Sequence, residues 1–275
     1  MKLAPTYFFL NYTTLCHSRC TTCRLWAGPQ ATLPVEQIRR LGRFFDPRKL
    51  REVYLTGGEP LLPGSAVDVA VALDRFHPGV AVTAATNSMY PLLYLKRVAA
   101  MQAAGVRIKI IVSLNGPAER HDRTRGVPGN YDRAVEMLDG LRDLGALLAV
   151  NLLEIPGETT DADREHCLAV AESYGVRLWH SPILRKMPWF GVPDDGAMVP
   201  LIENCRGGGE VLVILPNGDI TACQEPKAQL RFGNLRDECL DPAAVARVQG
   251  LVKTRACQPC GCCTPAFSEG LRCAT

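Results

Sequence analysis

Three thiols fall within one short run, CHSRCTTC, as Cys16, Cys20 and Cys23. Thiolates hold iron–sulfur clusters and zinc, and a closed structural site takes four ligands. Three thiolates leave one position open, and an open position on a metal is where something else binds. The competing arrangement is a zinc knuckle with His17 as fourth ligand, an awkward geometry because His17 is adjacent to Cys16 in the chain. A second set of thiols follows much later. Of twelve cysteines, three lie at 16–23, one at 167 and eight from Cys205 onward. In a reducing compartment, cysteines at short spacings bind metal or do chemistry more often than they pair. Cluster and tail therefore read as two separate cysteine sites.

Composition narrows the classes. The chain has 275 residues, 47% of them hydrophobic, enough for one large domain or for a large domain accompanied by a small one. The net charge is +3, and Lys and Arg are scattered, which gives no electrostatic footprint for nucleic acid. No stretch approaches the roughly 18 apolar residues of a membrane span, and the YFFL run near Met1 lacks a small-residue cleavage site. The expectation is a cytoplasmic protein with no membrane and no nucleic-acid partner.

Something must position the thiols. Short β-rich apolar runs at 6–11, 52–56, 81–86, 107–113, 147–153 and 176–181 alternate with helix-like stretches at 34–45, 64–76, 91–104, 130–144 and 161–174. Pro34 suits the first helix's opening turn, and Thr160 and Asp161 are caps for the last. Gly105, Gly145 and Gly175 stand where helices end. Six β–α repeats predict an α/β fold, a parallel sheet with right-handed crossovers curled into a partial (β/α)6 barrel. Ligands gather at the carboxyl ends of the strands in such folds. The unusual segments fall there: CHSRCTTC, then Gly57-Gly58-Glu59-Pro60, Thr86-Asn87-Ser88, Ser113-Leu114-Asn115-Gly116-Pro117, Ile155-Pro156-Gly157-Glu158-Thr159 and Ser181-Pro182-Ile183. A Pro/Gly/Asp-rich stretch at 188–200 reads as a linker, residues 211–222 as a β-hairpin turning at Asn217-Gly218. The expected domains are 1–185, the barrel, and 186–275, a small cysteine-rich domain.

Cys16-x3-Cys20-x2-Cys23 after the first strand, joined to Gly57-Gly58-Glu59-Pro60 after the second, resembles the radical S-adenosylmethionine (SAM) superfamily. The resemblance implies a [4Fe–4S] cluster on Cys16, Cys20 and Cys23 whose open iron chelates SAM. It further implies reductive cleavage to a 5′-deoxyadenosyl radical that abstracts a substrate hydrogen, with the protein orienting the cofactor and excluding water. Gly57 and Gly58 would let backbone approach the ligand, Glu59 or nearby carbonyls would accept from the SAM ammonium, and Pro60 completes the motif. A solvated glutamate in a turn is the bland reading of the same residues. The segment from Ser113 through His121-Asp122 to Arg125-Gly126 is similar to the family's fourth-strand segment. Ser113 would then sit near the ribose or carboxylate and Arg125 would pair with the carboxylate, unless it is a surface loop arginine. Asn115 stands where the subgroup commonly has Asp at the ribose. Leu153 and Ile155 would border the adenine, or simply line a strand–helix loop. Trp189-Phe190 reads as local packing rather than a substrate platform.

The tail resembles the SPASM or twitch extension of one subgroup, whose members include sulfatase-maturating enzymes, peptide maturases and an aminocyclitol dehydrogenase. That implies an auxiliary [4Fe–4S] cluster on Cys205, Cys223, Cys257 and Cys260. The runner-up is a second auxiliary cluster drawing on Cys257, Cys260, Cys262, Cys263 and Cys273, and a zinc site is the third reading. Cys167 and Cys239 read as small apolar residues. Gln224 follows the hairpin cysteine where sulfatase-maturating members carry an Asp resembling a base, and Gln takes no proton. The substrate expected is a peptide or protein side chain, giving oxidation or crosslinking, with an aminocyclitol- or sugar-like polar molecule as the alternative. The short lead into the first strand leaves no room for a leader-recognition domain, which would call for a separate leader-peptide-binding protein. An external reductant such as flavodoxin or ferredoxin completes the partners. A non-catalytic iron–sulfur electron carrier is the answer of another class.

Overall fold

The computed structural model describes residues 2–23, 25–155, 157–182, 207–223 and 228–253. All six expected strands form: β1 (Tyr7–Thr13), β2 (Glu52–Gly57), β3 (Ala81–Thr86), β4 (Arg107–Ser113), β5 (Leu147–Glu154) and β6 (Arg177–Pro182). Each pairs in parallel with the next. β1, YFFLNYT, is buried at every position, as a strand covered on both faces must be. The result is the expected α/β architecture, a mostly parallel sheet with helices.

The hairpin adds to this sheet. β7 (Val211–Ile214) lies parallel to β1, Tyr7 opposite Val211, and turns through Asn217-Gly218 into antiparallel β8 (Asp219–Thr221) and β9 (Arg231–Asn234). The nine strands run in the order β6-β5-β4-β3-β2-β1-β7-β8-β9. Nothing in the hairpin's own pattern showed that it would continue the barrel sheet.

The expected helix over 34–45 is two short helices, α1 (Val35–Ile38) and α2 (Leu41–Phe44). Their buried residues Val35, Ile38, Leu41 and Phe44 recur every third position, and the amides of Arg40 and Arg43 bond three residues back. A three-residue repeat tightens the coil toward a 3-10 turn rather than a continuous α-helix. α3 (Ala66–Phe76), α4 (Pro91–Ala103), α6 (Asn130–Asp143) and α7 (Asp161–Ser173) match expectation, and α8 (Pro242–Lys253) follows the hairpin. α5 (Ala118–Arg125) lies within the fourth rim segment and was not expected. Its sequence, AERHDRTR, buries only His121 and Thr124, so it carries no apolar stripe to reveal it.

Two apolar clusters occupy the two faces of the sheet. Phe8, Leu10, Val53, Leu55, Val82, Ala84, Ile110 and Val112 face the helices in the larger core. The alternate residues Phe9, Tyr54, Ile111, Ala149, Val213 and Leu215, with Trp179 against them, close the opposite face. Further along that second face the strands carry Asn11, Thr56, Ser113, Asn151 and Ser181, and Ser181 donates to Asn151 Oδ1 at 2.6 Å.

α7 opens with a capping box in which Thr160 Oγ1 accepts from the Asp163 amide and the Asp163 carboxylate accepts from the Thr160 amide. This cap sets the helix against the fourth rim segment, where the Gly116 amide donates to Cys167 Sγ at 3.1 Å. Thr160→Ala is expected to cost about 1 kcal/mol in urea unfolding. Ser65→Ala, at an α3 start with no side-chain cap bond, is expected to leave the midpoint unchanged.

Candidate active site

The cysteine loop leaves β1 and is gripped from two sides. On the β2 side, the amides of Gly58 and Glu59 donate to the carbonyls of Thr13 and Leu15, both at 2.8 Å. On the other side, the end of α5 receives the amides of Arg19 and Thr21 on the carbonyls of Arg125 and Thr124, each at 3.0 Å. Both grips need glycine. A Cβ on Gly58 would lie 2.3 Å from Leu15 O, and one on Gly57, at φ +124°, 2.1 Å from Thr13 O. One on Gly126, at φ +66°, would lie 2.2 Å from Arg19 O. These glycines serve the close approach of the loop's own backbone.

Cys16, Cys20 and Cys23 are each partly exposed in this loop. Asn87 Nδ2 donates to Cys16 Sγ at 3.4 Å, while Ser18 Oγ and Arg125 Nη1 lie 3.2 and 3.8 Å from Cys20 Sγ. Burial, then the Glu59 carboxylate, pushes the Cys16 thiol up to about 12, and burial raises Cys23 as well. Metal loading here must therefore displace protons. His17 bonds elsewhere: its Nδ1 lies 2.8 Å from the Tyr90 hydroxyl. Among the described residues no three thiols, imidazoles or carboxylates converge closely enough for a single metal ion.

Glu59 is 1% exposed, so it is not a solvated turn residue. Its Oε1 accepts from the Leu61 amide at 3.0 Å and its Oε2 from the Asn87 amide at 2.7 Å. Burial lifts the carboxyl to about 7 against those bonds and one from Thr86. The carboxylate thus ties the end of β2 to the turn after β3. Pro60 is fixed too, its carbonyl accepting from the buried Tyr12 hydroxyl.

Ser113 and Asn115 are nearly buried at the end of β4. Asn115 Nδ2 donates to Leu153 O at 3.4 Å, while its Oδ1 is buried without a partner among the described residues. Arg125 Nε is likewise buried and unpartnered, so this is not a surface arginine. Both atoms are free among the described residues to bond a polar ligand on this rim. Ile155 is buried in the turn after β5, its amide bonded to Thr159 Oγ1, and Leu153 is half-buried. Cys223 is buried at the end of β8. Cys167 is buried with hydrogen bonds to the β4 rim, whereas Cys239 is exposed. Its short loop between β9 and α8 keeps it out of the core. Cys205, Cys257, Cys260, Cys262, Cys263, Cys273, Gln224, Trp189-Phe190 and the expected linker lie outside the described residues.

The rim also holds residues whose roles were not foreseen. Ser88, in the turn after β3, has φ +60° and a buried, unpartnered Oγ, a left-handed conformation that costs a non-glycine residue on the order of 1 kcal/mol. His121 and Asn130 are fully buried, His121 Nε2 lying 3.0 Å from Asn130 Oδ1. The Asn115 amide donates to His121 Nδ1 at 3.1 Å, so the imidazole is neutral with its proton on Nε2. Their signal in the sequence was polar residues at helix starts and faces that should have been apolar.

The family model of the Radical SAM superfamily matches residues 10–169, the span from β1 into α7. The chain belongs to the radical SAM superfamily. Membership implies a [4Fe–4S] cluster and S-adenosylmethionine, and the donor set fits them. Three part-exposed thiols occupy one loop, and Arg125, whose Nε is buried and unpartnered among the described residues, reaches to 3.8 Å from Cys20 Sγ with Nη1. Two curated relatives are GTP 3′,8-cyclases: that of Paenarthrobacter nicotinovorans is 36% identical over 112 residues, 38% of this chain and 30% of the relative. That of Agrobacterium fabrum is 26% identical over 196 residues, 70% of this chain and 55% of the relative. The matches thus span about half or less of these relatives' length. Among solved structures, Streptococcus suis SuiB bound to the precursor peptide SuiA superposes with a TM-score of 0.61 at 13% identity, over 80% of this chain and 59% of that one. That likeness is one of fold. Among the described residues no helix is long and apolar enough to cross a membrane.

Two outcomes follow from this geometry. Gly58→Ala is expected to cost about 1–3 kcal/mol in urea unfolding, because a backbone carbonyl must move, whereas Gly64→Ala, with nothing within 4 Å, leaves the midpoint unchanged. Burial, then Arg125, depresses His121 to about 3 from an ordinary 6.5. The unfolded chain therefore binds more protons between those values, and stability rises with pH across that window. His121→Gln, an acceptor and donor that does not titrate there, should flatten that part of the stability–pH curve.

Proposed function

We propose that this chain is an enzyme that cleaves S-adenosylmethionine reductively and abstracts hydrogen from a peptide or protein residue, giving oxidation or crosslinking. The observation that carries the reading is the cysteine loop, clamped between the Gly57–Pro60 motif and Arg125-Gly126, with the unmet valences of Arg125 and Asn115 on the same rim. Three part-exposed thiols in one loop suit a cluster of several irons that leaves one iron open. Bound there, the cluster and SAM supply a primary carbon radical that removes a hydrogen atom from the substrate.

The chain's own residues then divide the work. Cys16, Cys20 and Cys23 hold the cluster. Arg125 Nε donates to the SAM carboxylate, beside Ser113, and Asn115 Oδ1 accepts from a ribose hydroxyl. The Glu59 carboxylate or carbonyls of the Gly57–Pro60 segment accept from the SAM ammonium. Leu153 and Ile155 offer apolar surface to the adenine. The Phe9–Tyr54–Ile111 cluster closes the sheet face beneath and keeps water from that side. Cys205, Cys223, Cys257 and Cys260 hold one auxiliary cluster, and an external one-electron donor such as flavodoxin or ferredoxin supplies the electron.

Substrate class is argued from charge. Asn11, Thr56, Ser113, Asn151 and Ser181 on the face toward the rim are all uncharged. Amide and hydroxyl groups would find partners, which favours a peptide and keeps an uncharged polar small molecule as the second reading. The fold likeness to peptide-bound SuiB supports the first.

Anaerobically reconstituted, reduced protein is expected to yield 5′-deoxyadenosine, and the Cys16/Cys20/Cys23→Ala variant none. Stimulation by a peptide fraction rather than a small-metabolite fraction supports the peptide reading, and the reverse supports the second. A yield no greater than the variant's with both fractions overturns the proposal in favour of an electron carrier.

A further inference from the structure

We propose that Asn87 sets the electron affinity of the cluster at Cys16, and that His121 and Asn130 are positioning residues that hold Asn87 in the orientation to do so. The inference rests on the reading of Cys16 as a cluster ligand.

Hydrogen-bond directions fix the chain of contacts link by link. It begins at the Asn115 amide, which can only donate, and does so to His121 Nδ1 at 3.1 Å. The imidazole proton is therefore on Nε2, which donates to Asn130 Oδ1 at 3.0 Å. With its oxygen taken, Asn130 turns Nδ2 to the Asn87 carbonyl, also at 3.0 Å. The Asn87 amide is held by Glu59 Oε2 at 2.7 Å, so the residue's main chain is pinned at both ends. Its side chain has one remaining freedom, a flip of the carboxamide. The Met89 amide removes it by donating to Asn87 Oδ1 at 3.0 Å. Nδ2 is left facing Cys16 Sγ at 3.4 Å.

Burial gives this relay its force. His121 and Asn130 are 0% exposed and Asn87 8%, so water does not readily replace a broken link. The relay joins the ends of β4, β3 and β1 and converges on a single sulfur. An N–H donated to a ligand sulfur stabilises the more negative, reduced state of the metal group, and outer-shell donors tune potential in this way. Cys20 has its own neighbours, Ser18 and Arg125, which stand outside the relay.

The test is a redox titration of reconstituted holoprotein, followed by electron paramagnetic resonance on the signal that changes when SAM is added. Asn87→Ala is expected to lower the reduced-to-oxidised ratio about tenfold at fixed applied potential, a shift of about 59 mV to more negative values for one electron. His121→Phe should shift the potential in the same direction, and His121→Gln should restore it toward wild type. The double variant Asn87→Ala/His121→Phe should match Asn87→Ala alone, because His121 acts through Asn87. If His121→Phe fails to fold, Asn130→Ala breaks the same relay and carries the same expectation. An unchanged potential in Asn87→Ala, or fully additive shifts in the double variant, would overturn the inference. If wild-type iron content matches that of the Cys16/Cys20/Cys23→Ala variant, it is the cluster assignment that has failed.

Discussion

The contact on which the site depends is the backbone approach between the end of β1 and the end of β2. Two amides, of Gly58 and Glu59, reach the carbonyls of Thr13 and Leu15 where the cysteine loop departs. No side chain fits between them. Everything else on the rim is arranged around that closure: Glu59 turns inward and ties β2 to β3, and the end of α5 holds the loop from the far side. Such a loop is preorganised by main-chain bonds, which cost less entropy to hold than bonds between long side chains.

Much of this was legible in the sequence because it was written in residue types with few other uses. Three cysteines at fixed spacing and a Gly-Gly-Glu-Pro after a strand have narrow chemistry, and the six strands stood out as short apolar runs. The parts that were not legible lack such marks. α5 is polar nearly all round, so periodicity is silent on it. The α1–α2 break comes from an apolar spacing of three that a helical template reads as continuous. That β7 lies beside β1 is a long-range pairing, which no local pattern specifies.

The motif glycines show how a right assignment can carry an incomplete reason. Gly57 and Gly58 suggest a surface opened for a ligand, yet the space they open is filled by the loop itself. Glu59 likewise reads as a ligand contact, and its oxygens also accept backbone amides that tie β2 to the turn after β3. His121 was visible only as part of the fourth rim segment and Asn130 not at all, because the sequence shows that residues are polar without showing that they are buried. Their meaning lies in direction: each hydrogen bond in that relay has only one sense once the Asn115 amide is placed.

The pairing of β1 with β7 has a consequence for how the chain is made. β1 needs a neighbour on each side, and the second, with Val211 opposite Tyr7, emerges only after the whole β2–β6 series has been synthesised. Until then the strand that carries the thiol loop has one row of amides and carbonyls open, at the edge of an otherwise folded sheet. The nascent protein therefore passes through an interval in which its three-thiol loop hangs from a strand with one open edge. Metal delivery and closure of the sheet then compete with thiol oxidation and strand-to-strand aggregation for the same few residues.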